Sequence, residues 1–234
     1  MKSFIKYTMA TVVGIFLTMT LFTIISIISL AGMMATEGMS APIKEKSILR
    51  LDLSGTLAER SDSNPFAALM GEENTALSLE DALLALDKAA KNENIIGVYL
   101  EGGAMGANPG MAQELRQALV EFKESGKWVV AYGDSYGKTA YYLSSVADSV
   151  LLNPEGNVDF GGMASQIMFY KDVMEKVGVK MQVFKVGTYK SAVEPFICTE
   201  MSPANREQVT SYLFSIWTNM LKDVAESRNM EVGK

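Results

Sequence analysis

The sequence predicts an α/β domain with mainly parallel strands, preceded by one membrane-spanning helix. Three observations carry this. From residue 47 onward, short apolar runs alternate with stretches of helical periodicity. Glycine, asparagine and proline punctuate the junctions between them. Ahead of that pattern, Tyr7 to Thr36 contains no charged residue, and Met9 to Met34 is dominated by Val, Ile, Leu, Phe and Met. A spanning helix needs about 20 apolar residues, so this run suffices with some tilt.

Lys2 and Lys6 precede the apolar run, which by the positive-inside rule keeps the N-terminus cytoplasmic and sends the rest outward. Lys44, Lys46 and Arg50 on the far side weaken that asymmetry. A cleavable signal peptide is the competing reading, favoured by the basic start and the small residues from Ala31 to Ala35. Its apolar region would span about 7 to 15 residues, roughly half of what is present, so an uncleaved anchor is expected. The expected organisation is a cytoplasmic tip and signal anchor over 1–36, a linker over 37–46 and a globular domain over 47–234.

Within the domain, Ser47 to Ser54 alternates apolar and polar side chains as a half-buried strand does. Residues 55–77 read as a loop. Ser78 and Asp81 have capping-box spacing, and Leu79, Ala82, Leu83, Leu86 and Ala90 follow on one helical face. Ile95 to Leu100 reads as a buried parallel strand, Gly102 to Gly110 as a glycine-rich turn, and Met111 to Phe122 as a helix stopped by Gly126. Strands over Trp128 to Tyr132 and Ser149 to Leu152 flank a helix over Gly137 to Val146. A helix over Tyr170 to Val177 then precedes a strand over Met181 to Val186. Ser202 as cap and Pro203 at the first position open a long helix with Trp217 and Met220 as core.

The composition narrows the chemistry. A net charge of −6 and no basic stripe argue against a nucleic-acid partner. With no histidine, Ser-His-Asp triads and His-based metal sites are excluded, and no cofactor is expected. The single Cys198 has no partner for an intramolecular disulfide and no activating neighbour. Gly133 to Ser145 follows a strand and opens a helix, a junction where hydrolytic α/β folds place nucleophiles. It offers Ser135, Thr139, Ser144 and Ser145, each of which is equally read as a cap or solvated hydroxyl. Gly102 to Gly110 could turn amides towards an oxyanion or serve as a plain turn. Lys190 follows the last expected strand among Tyr189, Ala192, Val193 and Phe196. Without histidine, lysine is the side chain most readily made a general base, if apolar burial disfavours its charge. The competing reading is a surface lysine paired with Glu194.

The stretch YKSAVEPF, followed by MSPANREQ and an amphipathic helix, resembles the N-terminal half of long-form SppA signal peptide peptidases. VADSVLLNPEGNVDFGG and KVGVKMQVFKVGTYKSAVEPF extend the resemblance to about residues 1–230. It implies a ClpP/crotonase-like superhelical domain, two of which stand in tandem in long-form members. It also implies hydrolysis of remnant signal peptides at the membrane by a Ser/Lys dyad, the lysine from the first domain and the serine from the second. By its place in the motif Lys190 corresponds to that lysine. Setting Tyr141-Tyr142 against the aromatic pair beyond the family's Ser-Gly-Gly puts Lys138, Thr139 and Ala140 in its place, so the nucleophile is missing from the matched position.

The domain over 47–234 is therefore expected to be truncated before a second, catalytic domain, and inactive alone. The implied partners are signal-peptide fragments, the membrane, and either further copies of the chain or a serine-bearing second domain. The implied location is the inner membrane, single-pass, with the domain in the periplasm. The alternative is a non-catalytic membrane-anchored scaffold with a crotonase-like core.

Overall fold

A computed structural model describes residues 2–37, 42–61 and 77–232, divided into two compact units, Met1–Lys44 and Glu45–Lys234. The first unit contains helix α1, Lys2–Glu37. Its Ser3–Ser29 portion, 27 residues of mean hydropathy 2.3, is long and apolar enough to cross a membrane. At 1.5 Å per residue that portion measures roughly 40 Å. Threonine hydroxyls interrupt its apolar surface, and they turn back onto the helix: Thr11 donates to the Tyr7 carbonyl at 3.0 Å, and Thr20 and Thr23 to those of Phe16 and Met19 at 2.8 Å. The protons of the threonines so bonded are satisfied within the helix itself.

The second unit is built on a five-stranded parallel sheet. In chain order its elements are β1 (Ser47–Ala58), β2 (Leu77–Ser78), α2 (Leu79–Lys91), β3 (Ile95–Gly106), α3 (Pro109–Glu124), β4 (Trp128–Tyr136), α4 (Lys138–Ser144) and β5 (Ser149–Val158). The strand order is β2-β1-β3-β4-β5. In register, Leu51 stands beside Leu100 and Leu100 beside Ala131, while Val98 stands beside Val129. This face is buried with Leu86 of α2, Leu115 and Leu119 of α3 and Leu143 of α4. The other face is more open, with Ile48, Trp128 and Tyr132 between 37% and 48% exposed.

Ser78 caps α2, its hydroxyl accepting from the Asp81 amide at 3.3 Å, as its spacing predicts. Several expectations need correction. The glycine-rich stretch is a turn only from Ala107, because β3 runs on to Gly106. Glycine is required there by close approach: a Cβ on Gly102 would lie 2.4 Å from the Tyr136 ring. β4 and β5 likewise outlast their apolar cores, to Tyr136 and Val158. Residues 181–186 form no strand; Phe184 and Val186 are each 89% exposed, and among the described residues no strand pairs with them. Of the stretch expected to be a loop, 55–58 belong to β1, and 62–76 lie outside the described residues.

Beyond β5 come α5 (Lys171–Lys176), a single 3₁₀ turn (Ser191–Val193), α6 (Glu194–Ile197) and α7 (Pro203–Ser227). Ser202 caps α7 through its hydroxyl, accepting from Asn205 N at 3.2 Å, with Pro203 opening the helix. Trp217 and Met220, expected in the core, are only half-buried at its margin, and Phe214 is 69% exposed. Only the C-terminal part of α7 sinks into the core, at Val224 and Ala225.

Candidate active site

The junction between β4 and α4 positions the hydroxyls that the sequence singles out, and it separates them. Ser135 is exposed at the end of β4 and Thr139 is half-buried in the first turn of α4. Ser144 and Ser145 are fully buried. The Ser145 hydroxyl donates to the Tyr142 carbonyl at 2.8 Å, and that of Ser144 has no hydrogen-bond partner. Neither of these two can meet an external peptide. Lys138, in the place the resemblance gives to Ser-Gly-Gly, donates to the Gly162 carbonyl at 2.6 Å and sits 5.8 Å from the Trp217 ring centroid. An aromatic run from Tyr141 through Phe160 to Trp217, with centroids 5.0 Å apart at each step, lies alongside. The Gly103 carbonyl accepts from the Gly137 amide at 2.9 Å and Asn108 caps α3, so this part of the glycine-rich segment is engaged in scaffolding.

Lys190 stands on the loop that leads into α7, exposed, immediately before the 3₁₀ turn. Both its neighbours are tied to α7. The Tyr189 hydroxyl donates to Glu207 Oε2 at 3.2 Å, and Ser191 Oγ lies 3.4 Å from Gln208 Oε1. An open groove of about 610 Å³ begins at Tyr189 and runs along α7 past Ser211, Tyr212 and Ser215. The competing reading, a Lys190–Glu194 ion pair, does not occur among the described residues. Glu194 is buried, and its carboxylate accepts from Ser202 Oγ at 2.6 Å, Asn205 Nδ2 at 2.9 Å and Ser202 N at 3.2 Å. The Ser202 hydroxyl above all, with the backbone and amide donors, holds its carboxyl below the ordinary carboxylate value against the opposing effect of burial.

Sequence reasoning missed a second anchor of α7. Arg116 is buried, and its guanidinium donates to the Tyr142 carbonyl, to Ser145 Oγ at 2.7 Å, and to the Asp223 carbonyl and Ser227 Oγ, each at 2.6 Å. Its Cζ also lies 4.7 Å from the centroid of the Tyr142 ring, whose hydroxyl donates to Asp223 Oδ2 at 2.5 Å. Burial first, and then Asp223, push the Tyr142 hydroxyl well above its ordinary value. An arginine within the otherwise apolar face of α3 was the available signal, since arginine is seldom fully buried unless paired.

These features define a layered parallel α/β domain, following a helix of membrane-spanning length, with an exposed lysine secured beside a groove. Residues 121–234 match peptidase family S49. The chain is 35% identical to Protease 4 of Salmonella typhi over 203 residues, which is 83% of this chain and 33% of that protein. It is 33% identical to Protease 4 of Haemophilus influenzae over 199 residues (82% of this chain, 32% of the relative). To the chloroplastic serine protease SPPA of Arabidopsis thaliana it is 30% identical over 185 residues (79% and 26%). These similarities support an SppA-type peptidase of family S49, and the parallel α/β sheet agrees with that family's ClpP-like fold. It spans about a third of the length of the Protease 4 relatives it matches.

Proposed function

We propose that this chain is the lysine-bearing portion of a membrane-anchored serine-type peptidase that degrades cleaved signal peptides. Lys190 is its general base, and the nucleophilic serine stands on a second domain or chain. The observation that carries the reading is the setting of Lys190: it is exposed, both its neighbours are fixed to α7, and it lacks the ion pair with Glu194. The buried positions of Ser144 and Ser145, and Lys138 at the matched position, support a serine from elsewhere.

A lysine acts as a base only where its charged form is disfavoured, and apposition of a serine-bearing surface would remove water from Lys190. Nζ then takes the serine proton as Oγ attacks the scissile carbonyl, and returns it to the departing amine, leaving an acyl-enzyme that water hydrolyses. The domain lies outside the cytoplasmic membrane, on the side opposite Lys2 and Lys6. Anchoring beside the bilayer raises the concentration of enzyme near apolar substrates. A scaffold role is the second reading, favoured by the lack of an accessible hydroxyl at the position of Lys138.

Fluorophosphonate labelling of the assembly purified from membranes through this chain tests the proposal. Label is expected on a serine outside residues 1–234, at a rate that Lys190→Ala suppresses. A label on a serine within these residues, or no labelled serine in a competent assembly, contradicts it.

A further inference from the structure

The Glu194 carboxylate is buried without forming an ion pair among the described residues, and capping alone does not account for it. Ser202 already provides the side-chain cap of α7, accepting from Asn205 N. Glu194 joins the loop before the helix to that cap, through Ser202 N, Ser202 Oγ and Asn205 Nδ2. Its backbone amide donates to the Ser191 carbonyl, closing the 3₁₀ turn that begins one residue after Lys190. Its own carbonyl accepts from Cys198 N at 2.8 Å, and the next carbonyl, that of Pro195, accepts from Tyr170 N at 2.7 Å. One side chain therefore fixes a turn of backbone to the first turn of a 25-residue helix. The bonds of Tyr189 and Ser191 to α7 are exposed, so Glu194 is the buried attachment of the three.

We propose that Glu194 is the positioning residue for Lys190, holding the loop that carries the base at a fixed place on the N-terminal turn of α7. The inference rests on Lys190 being the base. The carboxylate reaches no substrate atom; it acts through the backbone from Ser191 to Glu194. A displacement of about 1 Å in a catalytic group costs on the order of 100-fold in rate, so loosening this attachment affects turnover more than binding.

The experiment measures hydrolysis of an apolar signal-peptide fragment by the assembly purified from membranes, with rates normalised to folded protein by circular dichroism. Lys190→Ala comes first: if it turns over like wild type, the base assignment itself fails. If it is inactive, Glu194→Ala is expected to lower kcat roughly 100-fold with KM within about twofold, and Glu194→Gln, which keeps an acceptor and the side-chain length, to recover most of the loss. Leu119→Ala in α3 serves as a comparison that weakens the core away from the loop, and is expected to leave kcat per folded molecule unchanged. The proposal is overturned if folded Glu194→Ala keeps wild-type kcat, or if Leu119→Ala reduces kcat per folded molecule as strongly. Failure of the Gln variant to recover activity also overturns it.

Discussion

Replacing Arg116 by alanine should be among the most damaging single changes outside the Lys190 loop. The guanidinium joins α3 to α4 through Tyr142 O and Ser145 Oγ, and to the end of α7 through Asp223 O and Ser227 Oγ. Ser145 keeps its bond to the Tyr142 carbonyl after the change, so its hydroxyl is not orphaned. The Asp223 carbonyl and the Ser227 hydroxyl lose a charged donor in a part-buried setting, at about 1–2 kcal/mol each. The lost stem and the ring contact with Tyr142 add about 1 kcal/mol. The sum is about 3–5 kcal/mol. For a domain of this size that corresponds to a fall in melting temperature of roughly 10 °C. Thermal unfolding of the detergent-solubilised chain, followed by circular dichroism, measures it directly. A loss under about 1 kcal/mol would refute the assignment of Arg116 as the anchor of α7.

Ser144→Ala removes a buried hydroxyl that has no hydrogen-bond partner, so it should be neutral or stabilise by up to about 1 kcal/mol in urea unfolding. Gly102→Ala forces a methyl to within 2.4 Å of the Tyr136 ring and should cost about 1–3 kcal/mol by the same assay. Glu194 has its folded-state value depressed below the ordinary 4.5. Its stabilising contribution is therefore complete above that ordinary value and is lost as pH falls through the lower, folded one. Urea midpoints measured from pH 6 down to pH 3 should drop less steeply for Glu194→Gln than for wild type.

Local chemistry made the strand and helix order legible. The Leu51, Leu53 alternation of β1, the Ser78 and Ser202 caps, and the Leu115, Leu119, Phe122 face of α3 each state their role in a few adjacent residues. Strand ends were less legible, because residues such as Gly102 and Gly133 lack the apolar signature of a strand and are held in the sheet by pairing with each other and with Leu53 and Leu152. Residues 181–186 show the converse: β-like side chains without a partner strand remain irregular.

At the candidate site, YKSAVEPF marked out Lys190, and an ion pair with Glu194 was the competing reading of that lysine. The structure instead directs that carboxylate inward to Ser202 and Asn205, residues 8 and 11 positions further on. The Arg116 anchor spans 107 and 111 positions to Asp223 and Ser227, a separation that periodicity does not encode.

The most direct test of the central claim is turnover of a signal-peptide fragment by the membrane-derived assembly containing this chain, wild type against Lys190→Ala. Wild type is expected to hydrolyse the peptide, and the variant, equally folded and assembled, to fall by roughly 1,000-fold or more, as when the group that activates a nucleophile is removed. Hydrolysis by the variant at the wild-type rate would contradict the role of Lys190 as base and leave the chain as a scaffold.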